Sequence, residues 1–261
     1  MRTTSAKALA GIFILLTLTP ACEPKRKTSF LTDEDKHDDF IRSLELRGDP
    51  EAAGRRARSI AILKAQGIPF SSKLLPIDPE RASVRRSSEE VARRAVALAI
   101  VFVKGAHGEK DELDMLVRSY RAAELLSPRE KAFIENPVPE DRDMTNFSWR
   151  IESLNVLLWA IGYVDKLEWP GTPVEADLIA EIFAKYEPDE FIAKAKLRPQ
   201  SELLDAADLV LRYDWVAHRQ KNEQIKLSEL VNYDVVIERH HALNWLVGHL
   251  NEAWDDISLD L

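Results

Sequence analysis

The run Ala95–Val103 constrains the fold more than any other feature of the sequence, because all nine of its residues are apolar. Ser87 precedes the run, with Glu90 three positions later. This is the spacing of a capping box, in which the hydroxyl accepts a backbone N–H of the first turn and the carboxylate reaches back to the N-cap residue. A helix that is apolar on every side must be surrounded by other elements. The run therefore predicts a central helix in a multi-helix fold.

A second central helix is predicted at Trp149–Val164, which has apolar residues on most sides. No strand alternation is visible, and prolines predict extended or loop structure at 68–86 and 137–146. Capped or amphipathic helical patterns occupy much of the remaining chain, at 49–67, 111–126, 127–136, 175–186, 202–220 and 235–250. We expect a single compact all-α domain with two central apolar helices.

The composition restricts the classes of function. The chain has 261 residues, of which 45% are hydrophobic, so it can bury a sizeable core. Its formal net charge of −8 makes nucleic acid a poor candidate partner, since phosphate backbones attract basic surfaces. Cys22 is the only cysteine, so the chain can form neither an internal disulfide nor a cysteine-based zinc site.

The N-terminus has the residue order of a secretory signal peptide. Arg2 and Lys7 precede the apolar stretch Ala8–Leu18, whose eleven residues fall short of the roughly twenty that span a bilayer. The sequence Leu-Thr-Pro-Ala-Cys22 follows and resembles the lipobox of bacterial lipoproteins, although its Thr-Pro pair departs from the usual pattern. We expect cleavage before Cys22 and acylation with chains such as palmitate. Ordinary secretion and an uncleaved anchor are the alternatives.

The expected organisation is a signal peptide at 1–21, a tether at 22–48 and a helical domain at 49–261. Removal of the signal changes the formal net charge from −8 to −10, because it deletes two basic residues and no acidic ones. Three basic residues, Lys25–Lys27, would then lie beside anionic lipid headgroups. The protein is expected at the bacterial cell envelope, anchored through lipidated Cys22 on the periplasmic or surface face.

Five segments spread along the chain occur in a recognisable order: Arg86–Ala95, Ser148–Gly162, Leu197–Pro199 with Glu202–Asp205, Glu238–Trp245, and Trp254–Asp256. Together they resemble the family of domain of unknown function 4272, and the likeness covers about residues 55–261. The chain ends in Asp-Leu where that family usually has Asp-Thr. The resemblance implies one helical domain and assigns it no reaction.

Charged residues occur on predicted helices at positions where core helices usually lack them. Asp205, Asp208 and Arg212 lie on one stripe of their helix, and Glu238 and His241 lie on one stripe of another. If such faces meet, carboxylates, guanidiniums and imidazoles would converge in an aromatic-lined pocket. The candidate residues for a pocket or an ion network are Arg150, Glu152, Arg198, Glu202, Asp205, Asp208, Arg212, Glu238, Arg239, His240, His241, Asn244, Trp245, Trp254 and Asp255.

The same residues also fit a purely structural interpretation, in which buried ion pairs join helices or pair side chains four positions apart on one helix. A metal site is not expected. Glu238 and His241 supply one copy of the Glu-x-x-His spacing, whereas di-iron bundles need two copies and further glutamates. Asp214 and His218 form a looser pair. The sequence also lacks a nucleophile elbow and a phosphate loop.

Two functions remain open from the sequence. The leading hypothesis is a binding or interaction module at the envelope, with the membrane as partner through Cys22 and an unidentified protein or small molecule as ligand. No cofactor, metal or nucleic acid is expected. An interaction module predicts an exposed apolar patch, whereas an enzyme predicts a carboxylate or histidine of perturbed pKa in a cleft. The alternative is a hydrolase-like enzyme that uses Glu152, Asp205, Asp208, Glu238 and either His240 or His241.

Overall fold

A computed structural model describes residue 46, residues 48–223 and residues 231–259. Within these ranges all regular structure is helical, which confirms the all-α prediction. The helices are α1 (Pro50–Ala65), α2 (Ser88–Gly105), α3 (Lys110–Ser119), α4 (Pro128–Glu135), α5 (Asp141–Ser148), α6 (Arg150–Ala160), α7 (Ala176–Ala184), α8 (Pro188–Lys194), α9 (Gln200–Glu223) and α10 (Tyr233–Val247). The predicted signal peptide, Cys22 and almost all of the predicted tether lie outside the described residues.

The described chain divides into two compact units. We call Arg86–Arg198 the middle unit, which contains α2 to α8. The flanking unit consists of the described residues up to Arg85 together with those from Pro199 onward, and it contains α1, α9 and α10.

The centre of the middle unit is α2, against which α3, α4, α5, α6 and α8 pack. Every residue of the apolar run Ala95–Val103 is buried, and Leu98 is fully inaccessible. Helix α6 packs on α2 and buries every residue from Ile151 to Ala160. Both predicted central helices are therefore confirmed.

Of the two capping motifs in the middle unit, one forms in part and one in full. The Ser87 hydroxyl accepts the Glu90 N–H at 3.1 Å as predicted, but the Glu90 carboxylate accepts from the Arg86 guanidinium at 2.7 Å instead of reaching back to the N-cap, so this capping box is half formed. At the start of α4, Ser127 and Glu130 form a complete capping box. These contacts fix where α2 and α4 begin, because they satisfy first-turn N–H groups that have no partner inside the helix.

The sequence predictions for the middle unit are wrong in three details. The segment 137–146 was expected to be loop, but α5 begins at Asp141, where acidic residues in the first turn favour a helix N-terminus. The helix expected to reach residue 126 ends at Ser119, and Arg121 then adopts a left-handed φ of 49°. Helix α8 is absent from the predicted set, and it begins at Pro188, whose missing N–H has no cost in the first turn of a helix.

In the flanking unit, α9 packs on both α10 and α1. Asp49 caps α1 by accepting the Ala52 N–H at 2.9 Å, as its position before Pro50 predicts. Helix α10 ends at Gly248, whose φ of +67° and close approach to Val84 leave no room for a side chain. Its last carbonyl, that of Val247, accepts the Val84 N–H at 3.2 Å.

Candidate functional site

A cavity of about 410 Å³ lies between α4, α5 and the start of α6 in the middle unit. Pockets for small ligands usually measure roughly 300–1,000 Å³ and combine apolar walls with a few polar groups. Two guanidiniums, one carboxylate, two carboxamides and two aromatic rings are present here, and the lining residues are Arg129, Ala132, Phe133, Asn136, Asp143, Asn146, Phe147 and Arg150. We call this cavity the α4–α6 cleft.

The apolar wall of the cleft is a stacked aromatic pair. The rings of Phe133 on α4 and Phe147 on α5 have centroids 4.1 Å apart and planes inclined by 17°. Phe133 is buried and Phe147 is half-buried, so Phe147 is the more accessible of the two. Such a pair joins α4 to α5 and gives the cleft a flat hydrophobic surface.

The last two residues of α2 position both sides of this cleft. The Lys104 ammonium donates to the carbonyls of Phe133, Ile134 and Asn136 at 2.7, 2.9 and 2.6 Å, and so closes the C-terminal end of α4. Burial lowers the pKa of Lys104 from its usual 10.5. A Cβ on Gly105 would lie 2.6 Å from the backbone N of Ser148, so only glycine lets the end of α5 approach α2 this closely.

The charges of the cleft differ from those of the chain as a whole. Among the described lining residues, Arg129 and Arg150 accompany one carboxylate, that of Asp143, whereas the whole chain has a formal net charge of −8. Lys104 adds a further positive charge behind Phe133, with its Nζ 5.1 Å from the ring centroid. The cleft is therefore a locally cationic site on an acidic protein.

The predicted stripe on α9 contains a buried ion pair. Arg212 donates to both carboxylate oxygens of Asp208, through Nε at 2.9 Å and Nη2 at 2.7 Å. Their side chains are 1% and 0% exposed. The pair also contacts the extended segment after α1, since Asp208 accepts the Ile77 N–H at 3.4 Å and Arg212 donates to the Leu75 carbonyl at 3.4 Å. These contacts give Asp208 and Arg212 a structural role.

Asp205, one turn before Asp208, joins α9 to α1. Its carboxylate accepts from Arg55 at 3.2 Å and from Arg58 at 2.6 Å. Arg55 is 1% exposed and also donates to Glu51 at 2.6 Å, so a buried guanidinium is neutralised by two carboxylates. Asp205 therefore fits the ion-network interpretation as well.

A third polar group joins α9 to α10 and centres on Asp214, which is fully buried. One of its carboxylate oxygens contacts Nδ1 of His218 at 2.5 Å, and the other contacts Nδ1 of His240 at 2.6 Å. Burial alone would raise the pKa of Asp214, but the hydrogen bonds from His218 and His240 outweigh it and hold that pKa below 3.8. The His240 side chain is 2% exposed and that of His218 is 20% exposed.

The remaining candidates on α10 and the C-terminal segment form an aromatic cluster. The ring of Trp254 lies edge-on to His241, with centroids 4.6 Å apart, and to Trp245, with centroids 5.5 Å apart. Asn244 donates to the Ser258 carbonyl at 3.0 Å, which ties the segment to α10. Three more candidates in this region differ in exposure, since Glu238 and Arg239 are buried and Asp255 is half-buried.

Three further candidates lie elsewhere. Glu152, fully buried on α6, accepts the Val174 N–H at 2.5 Å. Arg198 packs over the Trp159 ring and donates to the carbonyls of Trp159, Val164 and Asp165, so it satisfies backbone groups at and after the end of α6. Glu202, in the first turn of α9, is exposed.

The sequence prediction identified some members of these groups and missed others. Of its candidates only Arg150 lines the α4–α6 cleft, and Arg150, Glu152 and Arg198 belong to a different unit from the rest. Asp214 and His218 were treated only as a loose pair, yet the structure places both with His240. The i,i+4 spacing of Asp214 and His218 was the available signal. Nothing comparable marked Arg129 or Phe147, because their meeting depends on how α4 and α5 pack.

The described residues contain neither a metal-binding cluster nor a membrane-spanning helix. No group of three or more His, Cys, Asp or Glu side chains in them is arranged to hold a metal ion. None of the described helices combines the length and the apolar character needed to cross a bilayer.

Comparison with known proteins gives one match. The sequence model of the family described as "Domain of unknown function (DUF4272)" matches residues 55–257, which confirms the resemblance seen in the sequence. No curated protein and no solved structure matches the chain. The matched range includes all of the middle unit together with α9 and α10.

Proposed function

The chain belongs to the family of domain of unknown function 4272, and we propose that this member is a binding module held at the bacterial cell envelope by a lipidated Cys22. The α4–α6 cleft is its ligand site, and the ligand is a small molecule. The observation on which this rests most heavily is the cleft itself, in which guanidinium and carboxamide groups surround a stacked aromatic pair.

The envelope location rests on the sequence alone. Basic residues, an apolar stretch of eleven residues and a cysteine follow one another in the order of a lipoprotein signal. Acyl chains on Cys22 and the adjacent basic residues would together supply the two signals that stable anchoring requires.

Ion pairing among the candidate carboxylates favours binding over catalysis. Asp208 is neutralised by Arg212 and Asp205 by two arginines, so neither is available as a general acid or base without breaking a structural contact. The α4–α6 cleft, by contrast, is already an open space of ligand size.

A second candidate function, a hydrolase-like enzyme, is favoured by one arrangement. The fully buried Asp214 orients the partly exposed His218 through a 2.5 Å contact, which is how a carboxylate prepares an imidazole to act as a general base. Limited solvent access argues against a hydrolase, because His240, the other imidazole that contacts Asp214, is 2% exposed. A reacting group would have to reach His218.

Membrane attachment is tested with Cys22→Ser. In a bacterial host with lipoprotein processing, the wild-type protein should incorporate labelled palmitate and sediment with membranes. The variant should do neither and should appear in the soluble fraction. Equal membrane retention of both proteins would contradict the lipid anchor.

Ligand binding is tested by a thermal-shift screen of small solutes against three proteins: wild type, Phe147→Ala and His218→Asn. Compounds that stabilise the wild type should lose their effect in Phe147→Ala, because the cleft loses its accessible aromatic wall, and keep it in His218→Asn. Two results would support the hydrolase-like alternative. One is stabilisation that is lost in His218→Asn and kept in Phe147→Ala, and the other is hydrolysis of ester probes by the wild type but not by His218→Asn.

A further inference from the structure

We propose that the α4–α6 cleft selects small organic anions that contain a flat ring, with the anionic group held by Arg129 and Arg150 and the ring packed on Phe147. The inference rests on the proposed function, because it specifies the ligand of the same site. It extends that function by predicting which molecules bind and which are rejected.

Charge is the first argument for an anion. The described lining contains two guanidiniums and one carboxylate, which gives these lining residues a formal charge of +1 on a chain whose formal net charge is −8. Guanidinium groups bind carboxylate and phosphate oxygens through pairs of parallel hydrogen bonds, which gives them geometric selectivity as well as attraction. The side chains of Asn136 and Asn146 add carboxamide donors to the same lining.

The helix end beside the cleft would otherwise repel an anion. The last carbonyls of α4 form the negative end of its dipole, and those of Phe133 and Ile134, together with that of the C-cap Asn136, lie at or next to the cleft lining. Lys104 covers these carbonyls with its ammonium group at 2.6–2.9 Å. The positive charge of Lys104 thereby offsets the negative end of the α4 dipole, which would repel an anion.

Shape is the argument for a flat ring. Phe133 and Phe147 are already stacked at 4.1 Å, and the half-buried Phe147 offers its remaining accessible surface to the cleft. A planar ring packs on such a surface over a larger area than a branched aliphatic group does. The contacts of Lys104 and the tight approach at Gly105 hold both walls in place, so little ordering is needed on binding.

The experiment is a calorimetric titration of the full chain, with its signal replaced by an N-terminal methionine, using three probes. 2-Naphthoate has both the anion and the ring, acetate has only the anion, and 2-naphthylmethylammonium has the ring with the opposite charge. 2-Naphthoate should bind at least about tenfold more tightly than either of the other two, since each loses one favourable interaction worth a factor of about ten.

Two variants then locate the binding. Arg129→Gln removes one positive charge at an exposed position, and Asn146→Asp adds a negative charge in a side chain of nearly the same shape. Each should weaken 2-naphthoate by about tenfold or more. Arg142→Gln is the matched control, because it removes the same charge from an exposed site on α5 that is not among the lining residues. Arg142→Gln should bind 2-naphthoate as tightly as the wild type does.

Equal affinity of the wild type for 2-naphthoate and 2-naphthylmethylammonium would overturn the inference. An equal loss of 2-naphthoate affinity in Arg142→Gln and Arg129→Gln would also overturn it. These outcomes are distinct from failure of the proposed function. If neutral or cationic compounds bind and Phe147→Ala abolishes their binding, the cleft is the ligand site and only the anion class is wrong. If binding of every compound is insensitive to Phe147→Ala, the site itself is wrong.

Discussion

Replacing Asp208 with asparagine tests whether the polar residues of α9 form a structural network. Asp208 and Arg212 are 0% and 1% exposed, and they are joined by two hydrogen bonds of 2.7 and 2.9 Å. The substitution keeps the side-chain shape but deletes the charge that compensates a buried guanidinium. Asparagine can still accept a hydrogen bond from Arg212 through its one oxygen, but its NH2 group would face the other guanidinium donor, so one of the two hydrogen bonds is lost together with the charge.

Removing one partner of a buried ion pair costs about 3–5 kcal/mol, because the other charge remains away from water. We expect Asp208→Asn near the lower end of that range, since one acceptor remains. Asp205→Asn is the matched control on the same helix. Asp205 is 43% exposed, and the buried partner Arg55 keeps Glu51, so its loss should cost no more than about 1 kcal/mol.

Urea denaturation followed by circular dichroism measures both values. A further variant, Asp208→Leu with Arg212→Met, should recover most of the stability, because no unpaired charge remains buried. If Asp208→Asn unfolds within about 1 kcal/mol of the wild type, the pair is not a structural contact. The alternative would then be a functional site in which charge is retained at the expense of stability.

Three other predictions follow from single contacts. Gly105→Ala should lower stability by about 1–3 kcal/mol, because its Cβ would lie 2.6 Å from Ser148 N. Gly54→Ala on α1 should be neutral or stabilising in the same thermal melt, because its Cβ would make only an ordinary contact of 3.8 Å with Arg58 Nη1. Asp214 has a folded-state pKa below 3.8, so its contribution to stability is present above about pH 4 and is lost as the pH falls through the folded pKa. The stability of Asp214→Asn should therefore lack this part of the acid-induced loss. Identical stability-versus-pH profiles for the variant and the wild type would contradict the prediction. Leu98→Asp should abolish folding, since Leu98 is fully buried in α2, and a cooperative melt near the wild-type temperature would show that α2 is not central.

The sequence predicted the helices whose signals are local. The apolar run Ala95–Val103 and the helical pattern over 127–136 each depend on residues within a few positions of one another, and both were found as expected. Helix α5 was missed because the prolines before it suggested a loop, while its eight residues include only two large apolar side chains, Met144 and Phe147. Its stability comes from tertiary packing on α2, made possible by Gly105, and that contact has no sequence signature.

The candidate site was harder to predict for the same reason. Charge spacing along α9 correctly placed Asp208 beside Arg212, because an i,i+4 pair is defined within one helix. The His240 contact with Asp214 joins two helices, and the α4–α6 cleft joins three. Sequence periodicity gives the face of each helix but not which faces meet, so residues such as Arg129 and Phe147 could be recognised only in the folded structure.

Hydrogen–deuterium exchange with and without saturating 2-naphthoate tests most directly whether the α4–α6 cleft is the ligand site. Binding there should slow amide exchange in peptides from 128–160, which contain α4, α5 and α6. Exchange in peptides from α9 and α10, which contain Asp214 and His240, should be unchanged. Protection confined to α9 and α10, with none in 128–160, would contradict the assignment and place the ligand at the buried histidines instead.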